Sequence, residues 1–129
     1  MQIVFIPLET VLDAHAVLVQ ETGGAPNVRD LGLLQSALEM PKAQMFGQFL
    51  HPTIFDMAAA YMFHLCQNHA FVDGNKRTSI FVALLFLKVN HHEIKCEDEK
   101  LEYLVLLVAT GKADKKDISD FFRLHSSIS

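Results

Sequence analysis

Apolar residues recur at helical spacing along most of this chain. Val11, Leu12, His15, Leu18 and Val19 share one face of a first helix, and Gly23-Gly24 ends it. Pro7 suits the first turn of that helix. The six residues before it alternate weakly and are partly β-branched, which predicts a short strand or an extended arm. Asp30 is an N-cap for a short second helix with Leu33, Leu34, Ala37 and Leu38 on one face, stopped at Pro41. Residues 41–52 read as a loop or small hairpin containing Gly47 and ending at His51-Pro52.

A third helix runs from about Thr53 to Asn68 and is apolar nearly all round, from Ile54, Phe55 and Met57 through Ala58 and Tyr61 to Leu65. Such a helix belongs at the centre of a core. A fourth begins near Asn75 and carries the apolar run from Ile80 to Leu87. A buried strand is the alternative for eight apolar residues, but no turn signal appears before Asn90-His91, and that length favours helix. His91 to Cys96 is a short extended connector. Glu97, Asp98 and Glu99 put negative charge in the first turn of a fifth helix with Leu101, Leu104, Val105 and Val108 inward, ended by Gly111. Asp114 caps a last amphipathic helix with Ile118, Phe121 and Phe122 inward. The pattern predicts an all-α fold of about six helices in a single domain spanning residues 1–129.

Composition adds exclusions. The net charge is −4 with a pI near 5.9, so no broad basic face for nucleic acid is expected. Lys76-Arg77 is a local basic site only. Cys66 and Cys96 lack metal or CxxC spacing and read as reduced thiols, as in a cytosolic protein. The N-terminus has no basic n-region, and the longest apolar run falls far short of the roughly 20 residues a bilayer requires. A soluble, cytoplasmic protein is expected.

The polar chemistry concentrates in one place. Residues 69–79, His-Ala-Phe-Val-Asp-Gly-Asn-Lys-Arg-Thr-Ser, lie between the two most apolar helices. His69 supplies an imidazole able to take a proton from a hydroxyl near neutral pH. Phe71 is an apolar anchor inside a polar loop, and Asp73 is a hard oxygen ligand suited to Mg2+. Gly74 permits a tight path with positive φ, and Asn75 can cap the helix that follows. The first N–H groups of that helix form an anion site, beside which Lys76, Arg77, Thr78 and Ser79 add two cations and two hydroxyls. A base, a metal-binding carboxylate and an anion cradle are the parts phosphoryl transfer requires. The plain alternative is a solvated turn with a capping histidine. The complete spacing between two buried helices favours the site. No Walker A motif is present.

This loop resembles the Fic/Doc (Fido) family, whose pattern His-x-Phe-x-Asp/Glu-Gly-Asn-Gly/Lys-Arg is met by His69, Phe71, Asp73, Gly74, Asn75, Lys76 and Arg77. The segment from Gly23-Gly24 through Val28-Arg29-Asp30-Leu31-Gly32-Leu33-Leu34 to Pro41 is similar to the N-terminal half of its Doc, death-on-curing, toxins. Lys76 stands where adenylyl-transferring Fic proteins usually have glycine, and Ile80 replaces their second arginine. The resemblance implies a toxin of a type II toxin–antitoxin system. Its expected activity is transfer of the γ-phosphoryl group of ATP to a Ser/Thr hydroxyl of a protein, elongation factor Tu being the family's target. Adenylyl transfer, or an inactive binding module, is the alternative. Gly74, where some Doc toxins carry alanine, leaves room for the first of these.

The implied roles are His69 as general base, Asp73 holding Mg2+, Asn75 fixing the phosphate loop, and Lys76 and Arg77 binding phosphates together with Gly74 and Thr78. Phe46 and Gly47 map loosely to the flap that docks the target. No serine or threonine is followed by glutamate at the fourth position, so the family's self-inhibitory motif is missing, and a Phd-like or similar antitoxin is the expected partner. Elsewhere, His64 reads as a core or supporting histidine and His91-His92 as an exposed turn. Arg29-Asp30 reads as a capping and packing pair, with a role near the nucleotide as the alternative.

Overall fold

The computed structural model describes residues 2–128. They form six helices: α1 Leu8–Thr22, α2 Leu31–Glu39, α3 Ile54–Asn68, α4 Asn75–Val89, α5 Asp98–Ala109 and α6 Lys115–His125. Two short antiparallel pairs join them, β1 Gln44–Met45 with β2 Gln48–Phe49, and β3 His92–Ile94 with β4 Ser126–Ile128. The fold is all-α, as the hydrophobic pattern predicts.

α3 is the central element and packs against α2, α4, α5 and α6. Met57, Ala58, Ala59, Ala60, Tyr61 and Met62 have no exposed surface, which accounts for its all-round apolar character. The three alanines present little bulk, so neighbouring helices approach closely there. α3 starts with a reciprocal capping box: Thr53 Oγ1 accepts from the Asp56 N–H, and the Asp56 carboxylate accepts from the Thr53 N–H. Asp114 and Asp117 make the same arrangement at α6, and Asp30 caps α2 by accepting from the Leu33 N–H. α4 covers α3 with Val82, Ala83, Phe86 and Leu87 buried.

The first residues are an extended arm rather than a strand. The Asn90 side-chain amide exchanges two 2.9 Å hydrogen bonds with the Val4 backbone, and the Tyr61 hydroxyl accepts from the Ile6 N–H at 2.9 Å. Pro7 occupies the N-cap of α1 instead of its first turn, because its carbonyl accepts the Val11 N–H and starts the ladder. Pro41 stops α2, but within a 3-10 turn, Met40–Lys42, that continues from it. The 41–52 segment adopts the hairpin option, with Phe46 and Gly47 both in the left-handed region at its tip. Such a two-residue turn matches the twist of the strands it joins. The connector after α4 is more than extended chain: it is β3, and it pairs with β4 at the end of the chain. His91 sits in the turn, whereas His92 lies in β3 with its ring edge against Phe55. The exposed-turn reading therefore fits His91 alone. No helix among the described residues is long and apolar enough to cross a membrane.

Candidate active site

Residues 69–74 link the C-terminus of α3 to the N-terminus of α4. His69 terminates α3 in the left-handed region at φ 50°, and Gly74 precedes α4 in the same region at φ 80°. Between these two left-handed residues Ala70 and Phe71 are buried, while Val72 and Asp73 are exposed.

Other elements hold the loop from below. Arg29 donates from Nε to the His69 carbonyl at 2.8 Å and from a terminal nitrogen to the Asn68 carbonyl at 3.3 Å. A cation thus satisfies the orphan carbonyls at the negative end of α3. This is the capping and packing role read for Arg29-Asp30. The Ala70 carbonyl accepts both the Arg29 and Asp30 N–H groups, and the Val72 N–H donates to the Asn27 carbonyl. Phe71 is buried as an anchor, its ring stacked on His15 at 3.6 Å between centroids and 11° between planes. His15, 1% exposed on α1, reaches the Asp73 carbonyl with Nε2 at 2.7 Å.

Asn75 does not cap α4. Gly74 takes the N-cap position, and the Asn75 side chain turns back instead. Its Oδ1 accepts from the Phe71 N–H at 3.0 Å and its Nδ2 donates to the Phe71 carbonyl at 2.9 Å. Those two bonds fix the amide orientation and place Nδ2 3.4 Å from His69 Nδ1, a contact too long to commit the imidazole. Asn75 therefore clamps the loop. Gly74 is required twice over: its φ is positive, and an added Cβ would stand 2.7 Å from Val19 Cγ1.

His69, Asp73, Gly74, Asn75 and Lys76 line one cleft of about 390 Å³, together with Cys66, Gln67, Val72 and Ala109. Burial pushes the Cys66 thiol up, with Lys76 opposing it in part, so the sulfur is a protonated wall of the cleft. The first turn of α4 opens at the same cleft with N–H groups that have no acceptor within their own helix. One Asp73 oxygen accepts the Ala25 N–H at 2.9 Å. The carboxylate is exposed beside His69 and Lys76. No three His, Cys, Asp or Glu side chains converge as a metal cage among the described residues. A single carboxylate is the donor set that fits Mg2+ sharing phosphate oxygens and water.

Arg77, Thr78, Ser79, Phe46 and Gly47 lie outside this cleft. The Arg77 guanidinium donates to the Leu18 carbonyl at 2.7 Å and touches the Thr22 hydroxyl at 3.5 Å, tying α4 to the end of α1. Thr78 is fully buried, its hydroxyl without a partner, and Ser79 donates to the Lys76 carbonyl. Phe46 and Gly47 form the tip of the β1–β2 hairpin, where Phe46 is 98% exposed. His15 is the residue the sequence reading missed. In the sequence it is one more member of a helical face. A histidine there must find a partner off its own helix, and that is the signal that points to the loop.

The fold and the cleft together define an all-α domain that brings an imidazole, a carboxylate and a helix N-terminus together at one loop. The sequence profile described as the Fic/DOC family matches residues 5–87, and the chain belongs to that family. It is 37% identical over 117 residues to Toxin Doc of Mycolicibacterium smegmatis (strain ATCC 700084 / mc(2)155), covering 89% of this chain and 88% of that protein. It is 27% identical over 115 residues to Protein kinase doc of Escherichia phage P1, covering 89% and 90% respectively.

Proposed function

We propose that this protein is the toxin of a toxin–antitoxin pair and that it moves the γ-phosphoryl group of ATP to a Ser/Thr hydroxyl of a protein, elongation factor Tu. The carrying observation is the cleft that gathers His69, Asp73 and Lys76 around the N-terminus of α4. Similarity to proteins named Toxin Doc and Protein kinase doc supports the same reading.

In this reading the attacking hydroxyl oxygen bonds to the γ-phosphorus while the bond to the β–γ bridging oxygen breaks. His69 takes the hydroxyl proton, and ADP leaves. Lys76 and the first N–H groups of α4 stabilise phosphate charge. Asp73 would hold Mg2+, whose charge neutralises phosphate oxygens when bound. Asn75 and Phe71 keep His69 over the cleft. The Arg77 guanidinium has its own partner on α1, so its contribution is to join α1 to the loop's exit helix; contact with phosphate would require it to leave Leu18. The exposed Phe46-Gly47 tip is the segment that docks the target. A Phd-like antitoxin restrains the toxin, and the pair acts in the cytoplasm.

Adenylyl transfer is the second reading on the same scaffold. Gly74 leaves room for it, and the Val19 side chain supplies a packing cause for that glycine independent of the reaction. Paired expression tests the proposal. Wild-type protein should arrest growth, and His69→Ala should not. Equal arrest by both would refute catalysis at this cleft.

A further inference from the structure

We propose that His15 is a positioning residue for the phosphate-binding turn: it sets which edge of the Asp73–Gly74 peptide faces the cleft. The inference rests on the cleft being the nucleotide site.

A carbonyl only accepts, so His15 Nε2 carries the proton in its 2.7 Å contact with Asp73, and the tautomer is fixed. The peptide is trans, and the carbonyl and N–H of a trans peptide point to opposite edges. With the Asp73 carbonyl held down on α1, the Gly74 N–H is turned away from α1. Gly74 lines the cleft, so this N–H joins the donors at the start of α4. The opposite orientation would present a carbonyl to phosphate oxygens, and they would repel it.

Glycine at 74 makes that flip cheap, because it tolerates both signs of φ. The orientation therefore needs an outside partner. The His15 ring is itself immobilised, stacked on Phe71, whose backbone Asn75 clamps on both sides. A flip would strand a buried imidazole N–H without an acceptor. The Ala25 N–H pins the Asp73 carboxylate from the same side. The carbonyl and the carboxylate of one residue are thus both set by α1 and the turn that follows it.

Two variants separate donor from packing. His15→Phe keeps a ring on Phe71 and loses the donor. His15→Gln restores an amide donor and loses the stack. The measurements are the Gly74 amide resonance in nitrogen-15-labelled protein and Mg–ATP affinity by calorimetry. His15→Phe should shift or broaden the Gly74 amide and weaken Mg–ATP binding by about tenfold, the worth of one buried hydrogen bond. His15→Gln should return both towards wild type. An unchanged Gly74 amide in His15→Phe, or equal damage in the two folded variants, overturns the proposal. Wild-type protein that binds no Mg–ATP refutes the nucleotide reading instead, and the amide then decides on His15 alone. The wild type also carries its own test. Its His15 Nε2 proton should exchange slowly with solvent, and rapid exchange would contradict the bond whether or not the variants fold.

Discussion

Gly74 is where single-atom detail matters most. An alanine there must adopt φ near 80° and place its Cβ 2.7 Å from Val19 Cγ1. Gly74→Ala should destabilise the protein by about 1–3 kcal/mol in denaturant titration. Adding Val19→Ala should recover the part owed to the clash and leave the part owed to φ. Asn75 offers a second residue-level test. Asn75→Ala strips partners from the Phe71 N–H and carbonyl in a buried position, at a cost of about 2 kcal/mol. Asn75→Asp keeps an acceptor for the N–H and should cost less. The sequence shows Gly74 and Phe71 correctly as a turn residue and an anchor. It misplaces Asn75, because a helix-start asparagine looks the same whether it caps its helix or reaches back four residues. Arg77 and Thr78 sit one and two positions past Lys76, and helical rotation carries both away from the cleft. Spacing along a chain cannot show that rotation until the first helical residue is known.

The elements around the loop explain why it stays where it is. α3 ends at His69, and its last carbonyls are satisfied by Arg29 from the α1–α2 connection. Arg29→Met should lower stability by about 1 kcal/mol, with part of the loss screened by salt. It should also lower activity more than stability, because the carbonyl released belongs to His69. A stable variant with unchanged activity would show that Arg29 serves α3 alone. Helices, the Asp30 and Asp114 caps and the Gly23 and Gly111 stops are legible from sequence because each is a local signal. The pairing of β3 with β4 is not: its partners lie more than thirty residues apart and each strand is only three residues long. The joining of α1 and the turn after it to the loop, through His15 and Ala25, and to α4, through Leu18, is equally long-range. The sequence therefore displays the site's parts and leaves out the helix that supports them.

On the scale of the whole molecule, α6 docks on α3 through a polar knot as well as through Ile118 and Phe122. Lys115 Nζ lies 3.1 Å from His64 Nε2 and 3.2 Å from His51 Nε2. His64 thus belongs to the packing of α6 on α3 and does not line the cleft. Burial, then the Lys115 charge, then His51 depress His64 from 6.5 to about 4. Burial followed by Lys115 also lowers His51. A histidine depressed in the folded state binds protons more readily when unfolded, so its stability contribution is present above 6.5 and is lost as pH falls towards 4. Thermal midpoints should drop between those values, and His64→Gln should flatten the drop; an identical profile would remove His64 as its source. The knot joins the end of the hairpin segment, α3 and α6. What the protein does is decided most directly by incubating it with elongation factor Tu and ATP labelled at the γ-position, beside the same mixture labelled at the α-position. Label reaching the factor from γ-labelled ATP alone, and lost in His69→Ala, is the predicted result. Transfer from α-labelled ATP alone would contradict phosphoryl transfer.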